Sequence, residues 1–65
     1  MSVGANLRQL REAVHMTQTE LAQRVNVSVP MICQIERGSK TMSISLGAEI
    51  AAVLGCELSD LVKAG

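Results

Sequence analysis

Apolar residues recur along this chain at helical spacing, in five short runs broken by polar turns. Leu7, Leu10 and Val14 stand at i, i+3 and i+7 and predict a first helix over about residues 5–15. Residues 1–4 ahead of it are small and polar enough to fray. His15, at its end, suits the negative pole of the helix dipole. Thr17-Gln18-Thr19-Glu20 has the spacing of a capping box and opens a second helix, whose buried stripe is Leu21, Ala22 and Val25. Asn26 tolerates positive φ and turns the chain, and Val27 returns to the core. Ser28 is a good N-cap for a third helix with Ile32 and Ile35 inward. Gly38 stops that helix, and residues 37–42 form a loop. Ser43 caps a fourth helix that runs to about residue 54. Ile44, Leu46, Ala48, Ile50, Ala51, Val53 and Leu54 make it apolar nearly all round, the pattern of a helix buried centrally or facing a second subunit. Gly47 inside it costs about 1 kcal/mol relative to Ala, which reads as close helix approach. Gly55 ends it, and Leu58, Leu61 and Val62 predict a short fifth helix over about 58–62. The pattern is all-α, with one domain over residues 1–65.

The stretch 18–37, QTELAQRVNVSVPMICQIER, resembles the helix-turn-helix of the Cro and phage-repressor (Xre-like) type. Apolar residues stand where that motif packs (Leu21, Val25, Val27, Ile32, Ile35), and Ala22 is small where its two helices come closest. Asn26 fills a turn position usually held by Gly, and Ile35-Glu36-Arg37-Gly38 matches the motif's ending. The likeness extends over roughly residues 5–62. It implies a compact five-helix bundle of the lambda-repressor-like kind. The implied function is sequence-specific binding of double-stranded DNA by a small transcriptional regulator. The helix at about 28–37 would lie in the major groove. The family implies a homodimer on a palindromic operator, with half-sites about 34 Å apart.

At 100° per residue, Pro30, Cys33, Gln34 and Arg37 fall opposite Ile32 and Ile35, on a face expected to be exposed. Gln34 alone there is able to make a bidentate contact to adenine. Arg37, at the helix end, suits a phosphate or guanine. Ser28 stands at the head of the same helix. Val29 and Pro30 carry no side-chain donors where family members often have polar readers, so they suit thymine methyl groups instead. At the start of the second helix, Gln18 and Thr19 are phosphate candidates, and the resemblance gives Gln18 the phosphate grip. Ser39, Lys40 and Thr41 follow the third helix as a further phosphate loop. The resemblance also implies a partly buried structural ion pair between Arg11 and Glu36. The apolar surplus at Val53, Cys56, Leu58, Leu61 and Val62 is the expected dimer surface.

Composition changes this picture in two ways. Aromatic residues are absent, which weighs against modules that stack bases on aromatic platforms. Net charge is zero, against the usual expectation of a basic footprint. Its distribution restores part of that footprint. Residues 1–40 carry Arg8, Arg11, Arg24, Arg37 and Lys40 against Glu12, Glu20 and Glu36, a balance of +2; residues 41–65 carry Lys63 against Glu49, Glu57 and Asp60, a balance of −2. A local positive face survives a neutral total.

Little else points to chemistry. His15 is the single histidine and has no partner at ligand spacing, so no metal is expected. No Gly-rich phosphate loop or nucleophile pair occurs, so neither an enzyme, a cofactor nor a small-molecule ligand is implied. Cys33 and Cys56 lack metal-site spacing and fit free thiols of a reduced, cytoplasmic protein. Cys33, expected on the exposed face, is a candidate redox position; the plainer reading is a small tolerated residue. No signal or membrane-length segment appears. A second functional reading stays open. The same fold could serve as a protein-interaction module, such as an antitoxin, inhibitor or regulator subunit, without reading DNA.

Overall fold

Four of the five helices begin at a hydroxyl that accepts a backbone N–H, and this sets where each element starts. The computed structural model describes residues 2–62. The helices are α1 (Val3–Ala13), α2 (Gln18–Arg24), α3 (Val29–Arg37), α4 (Ile44–Leu54) and α5 (Leu58–Val62). Ser2 Oγ accepts from Ala5 N at 3.1 Å, Ser28 Oγ from Met31 N at 3.2 Å, and Ser43 Oγ from Leu46 N at 3.1 Å. Thr17 and Glu20 close the full capping box, each bond 3.0 Å long. Pro30 lies in the first turn of α3, where its missing N–H has no helical partner to lose. Gly38 and Gly55 end α3 and α4 at φ 83° and 73°. His15 and Asn26 do the same work for α1 and α2 at φ 57° and 58°, without being glycine.

α1 departs from the expected 5–15 at both ends. It starts at Val3 because Ser2 supplies a cap, so the first turn is ordered helix rather than frayed chain. It ends at Ala13. His15 is therefore outside the helix in a left-handed turn, and Val14 is 45% exposed instead of continuing the buried stripe.

The enclosed core is Leu7, Leu21, Ile32, Ile35, Ile50 and Leu61, each no more than 2% exposed. One large apolar side chain from α1, α2, α4 and α5, and two from α3, thus meet at the centre. α3 packs on α1 and α2, and α5 packs on α1 and α4. Leu61 was expected at a dimer surface. It is instead the inward anchor of α5, so it cannot reach a second subunit. Leu58, Val53 and Cys56 are half-buried against the same core and are partly spent within the chain. Val62 is 50% exposed.

Two close approaches fix how the elements sit. A Cβ on Gly47 would stand 3.0 Å from Leu58 Cδ1 and from Met42 Cε, so its absence lets α5 and the preceding loop close on α4. Gly4 is tighter. A Cβ there would fall 2.4 Å from the Ile35 carbonyl oxygen and 2.5 Å from that of Glu36. The first turn of α1 therefore rests on the last turn of α3. Asn6, buried in the same helix, donates from Nδ2 to the Leu61 carbonyl at 3.0 Å and ties α1 to α5. α4 buries Leu46, Gly47, Ile50, Ala51 and Leu54 and leaves Ile44, Ser45, Ala48, Glu49 and Ala52 outside, with Ile44 74% exposed. It is thus one-sided, with an outer face much more apolar than usual.

Candidate nucleic-acid interface

With Ile32 and Ile35 sealed in the core, α3 can present only its opposite side. Pro30, Gln34 and Arg37 follow one another there at i, i+4 and i+7. Pro30 and Arg37 are exposed, and Gln34 is half-buried. The Gln34 carbonyl accepts from Ser39 N at 2.9 Å, Lys40 N at 3.3 Å and Ser39 Oγ at 3.2 Å. The loop 38–41 is therefore wound back over the end of α3, with Ser39, Lys40 and Thr41 all exposed. Thr19 and Ser28 are exposed as well, Ser28 with its hydroxyl used as the cap.

Two residues of the expected reading face lie elsewhere. Val29 and Cys33 are half-buried, because with Glu36 they form the flank of α3 turned toward the start of α2. Val29 packs against the core, which leaves Pro30 as the exposed apolar residue of the pair. Cys33 is not an open thiol. Its Sγ donates to Gln18 Oε1 at 3.0 Å.

Beneath that flank lies a connected polar cluster built on Arg11, Gln18 and Glu36. Arg11 Nε donates to Glu36 Oε2 at 2.7 Å and Nη2 to Glu36 Oε1 at 3.1 Å, a two-pronged contact matched to the planar carboxylate. Arg11 Nη1 donates to the Met16 carbonyl at 2.7 Å, which holds the turn between α1 and α2. Gln18 Nε2 donates to Glu36 Oε1 at 2.9 Å. The Arg11 and Glu36 side chains are only 10% and 5% exposed. Burial alone would push the Glu36 carboxyl up, but the hydrogen bonds from Arg11 and Gln18 outweigh it and hold the group below its ordinary value. Arg11 is raised, chiefly by its bond to Glu36. One guanidinium and one carboxylate therefore join α1, the following turn, α2 and α3.

The cleft over this cluster is lined by Arg8, Arg11, Gln18, Cys33, Glu36 and Arg37. Three arginines and one carboxylate line it, and that carboxylate is already paired with Arg11, so the lining carries an excess of positive charge. Arg8 is the member that sequence reasoning overlooked. It precedes Arg11 by three residues on the same side of α1, and that spacing was the available signal. Its bond to Glu12, 3.4 Å and exposed, leaves the guanidinium movable.

Among the described residues there is no group of three or more His, Cys, Asp or Glu able to hold a metal, and no helix long and apolar enough to cross a membrane.

Comparison with known proteins gives this geometry a context. A family model described as helix-turn-helix matches residues 7–61. The chain is 32% identical over 62 residues to the immunity repressor protein of Bacillus phage phi105, covering 95% of this chain and 43% of that one. It therefore spans less than half the length of that repressor. Among solved structures it is similar to the clp gene regulator ClgR of Corynebacterium glutamicum, with TM-score 0.88, 36% identity, and 91% and 63% of the two chains covered. It is also similar to the restriction-modification controller protein C.AhdI of Aeromonas hydrophila, with TM-score 0.86, 29% identity, and 91% and 89% covered.

Proposed function

Because this chain belongs to the helix-turn-helix family, we propose that it is a cytoplasmic transcriptional regulator that binds double-stranded DNA with α3 in the major groove. The observation that carries this reading is the line Pro30–Gln34–Arg37, set on a helix whose opposite side is locked into the core. Gln34 reads a base edge through its amide, and Pro30 meets an apolar thymine methyl. Arg37, Lys40 and the exposed hydroxyls of Thr19, Ser39 and Thr41 meet the phosphate backbone. Gln18, with Arg8 beside it, meets a phosphate at the cleft. Contacts to phosphate fix register, whereas those to base edges carry sequence. With so few readers, much of the specificity comes from DNA shape.

Binding as a homodimer belongs to the same proposal. After the loss of Leu61 to the core, its apolar surface reduces to Val53, Cys56, Leu58 and the exposed Val62. The repressor and regulators named above support the transcriptional-regulator part of the proposal.

Titration of random-sequence duplex at two salt concentrations tests it. Neutralising several phosphates makes affinity fall steeply as salt rises. Lys40→Ala lowers affinity on every sequence and reduces the salt slope by about one, whereas Gln34→Ala relaxes preference at one base pair. No binding at low salt refutes DNA recognition and leaves the protein-interaction reading in its place.

A further inference from the structure

Gln18 has a side chain whose two ends are chemically opposite, a carbonyl acceptor and an NH2 donor, on one rotatable plane. Which end faces outward decides whether it attracts or repels a phosphate. In this chain the choice is made by neighbours. Glu36 is ionised, fixed in place by two bonds from Arg11, and able only to accept. Its Oε1 therefore takes the Nε2 end of Gln18, at 2.9 Å. The carbonyl end is left facing α3, where Cys33 lies one helical turn before Glu36 on the same flank. Its S–H donates to Gln18 Oε1 at 3.0 Å. A flipped amide would set two acceptors against each other at Glu36. One Nε2 hydrogen is used by Glu36, and the second has no partner among the described residues. It is the Gln18 donor that remains for an anion in the cleft between Arg8 and Arg37.

We propose that Cys33 is a positioning residue for DNA binding: its thiol anchors the Gln18 carbonyl, so that the amide keeps an N–H ready for a backbone phosphate. This rests on the reading that Gln18 meets a phosphate. Cys33 itself touches no DNA in this role, which fits its place on the half-buried flank rather than in the line Pro30–Gln34–Arg37. The residue that looks like a missing base reader thus acts one step behind the interface. A hydroxyl can replace the thiol, since the function needs only a donor; a methyl group cannot.

A double-mutant cycle on random-sequence duplex tests this, with the thermal midpoint followed in each variant to separate folding from binding. Gln18→Ala is expected to lower affinity about tenfold, and Cys33→Ala about threefold, the range of one hydrogen bond and of a partly lost one. The salt slope stays unchanged in both, because neither side chain is charged. Cys33→Ser restores the affinity. In the Gln18→Ala background, Cys33→Ala has no further effect. A second measurement needs no DNA. The two side-chain NH2 proton resonances of Gln18 are well separated in the parent protein and move toward free-amide positions in Cys33→Ala. If Gln18→Ala binds as tightly as the parent, the phosphate reading falls and the positioning role with it. If Gln18→Ala loses affinity while Cys33→Ala does not, or if Cys33→Ala costs the same in both backgrounds, the positioning role alone is overturned.

Discussion

Glu36 shows how much one side chain can be asked to do. It accepts three hydrogen bonds, two from Arg11 and one from Gln18, while nearly enclosed. Glu36→Gln replaces the charge with an amide and leaves the Arg11 guanidinium buried without its counter-ion. The expected cost is about 3 kcal/mol, read as a lower urea midpoint at pH 7. An unchanged midpoint would mean that the pair contributes nothing. The sign of the pH dependence follows from the depressed carboxyl. Its stabilisation is present above the ordinary value of 4.5 and is lost as pH falls through the lower value it has in the folded protein. The parent should therefore lose stability across that acid window, and Glu36→Gln should show a shallower loss there. Gly4 makes a different demand. Gly4→Ala drives a methyl group into the carbonyls of Ile35 and Glu36, and neither is a flexible side-chain end. A loss of about 1–3 kcal/mol is expected in the same measurement, with weaker DNA binding because the end of α3 is displaced. A melting temperature equal to the parent's would show that α1 slides to accommodate the methyl.

Most helix boundaries were legible because capping is local chemistry. Thr17, Ser28 and Ser43 announce α2, α3 and α4 within a few residues of sequence, and each cap is formed. The inner stripe of the motif was legible for the same reason: Leu21, Ala22, Val25, Ile32 and Ile35 repeat at helical spacing and are all buried. α1 differs from its sequence pattern at both ends. Ser2 caps it ahead of the first periodic apolar residue, and the left-handed turn at His15 leaves no mark in hydrophobic periodicity. The site was less legible than the fold, since its facts are long-range. Nothing near Cys33 in sequence says that Gln18 lies over it, and nothing near Gly4 says that α3 ends there. The turn between α2 and α3 offers a direct check on this reasoning. Asn26 sits at φ 58° with its side chain exposed. Asn26→Ala should cost about 1 kcal/mol, the penalty of a Cβ in the left-handed region, whereas Asn26→Gly should stay near the parent. Equal losses in a denaturation series would place the cost in the Asn side chain rather than in backbone strain.

This chain must hold together without an aromatic ring, on a core of Leu, Ile, Val and Ala gathered from all five helices. A chain of 65 residues buries only about 60% of its unfolded surface, so a second subunit is a ready source of added stability. Of the exposed large apolar residues Val14, Ile44 and Val62, two stand within helices and compete for that role: Val62 on α5 and Ile44 on α4. Val62→Lys is expected to shift the sedimentation equilibrium toward monomer, whereas Ile44→Lys leaves it unchanged. The reverse result would move the interface to the outer face of α4, with Ala48 and Ala52. The seating of Gly4 on the last carbonyls of α3 matters for any handling of this protein. The helix proposed to enter DNA is braced by the first turn of the chain, only two residues after Ser2. Any displacement of that turn is therefore expected to reach the end of α3 through backbone alone, and to alter DNA affinity without touching a side chain that faces the groove.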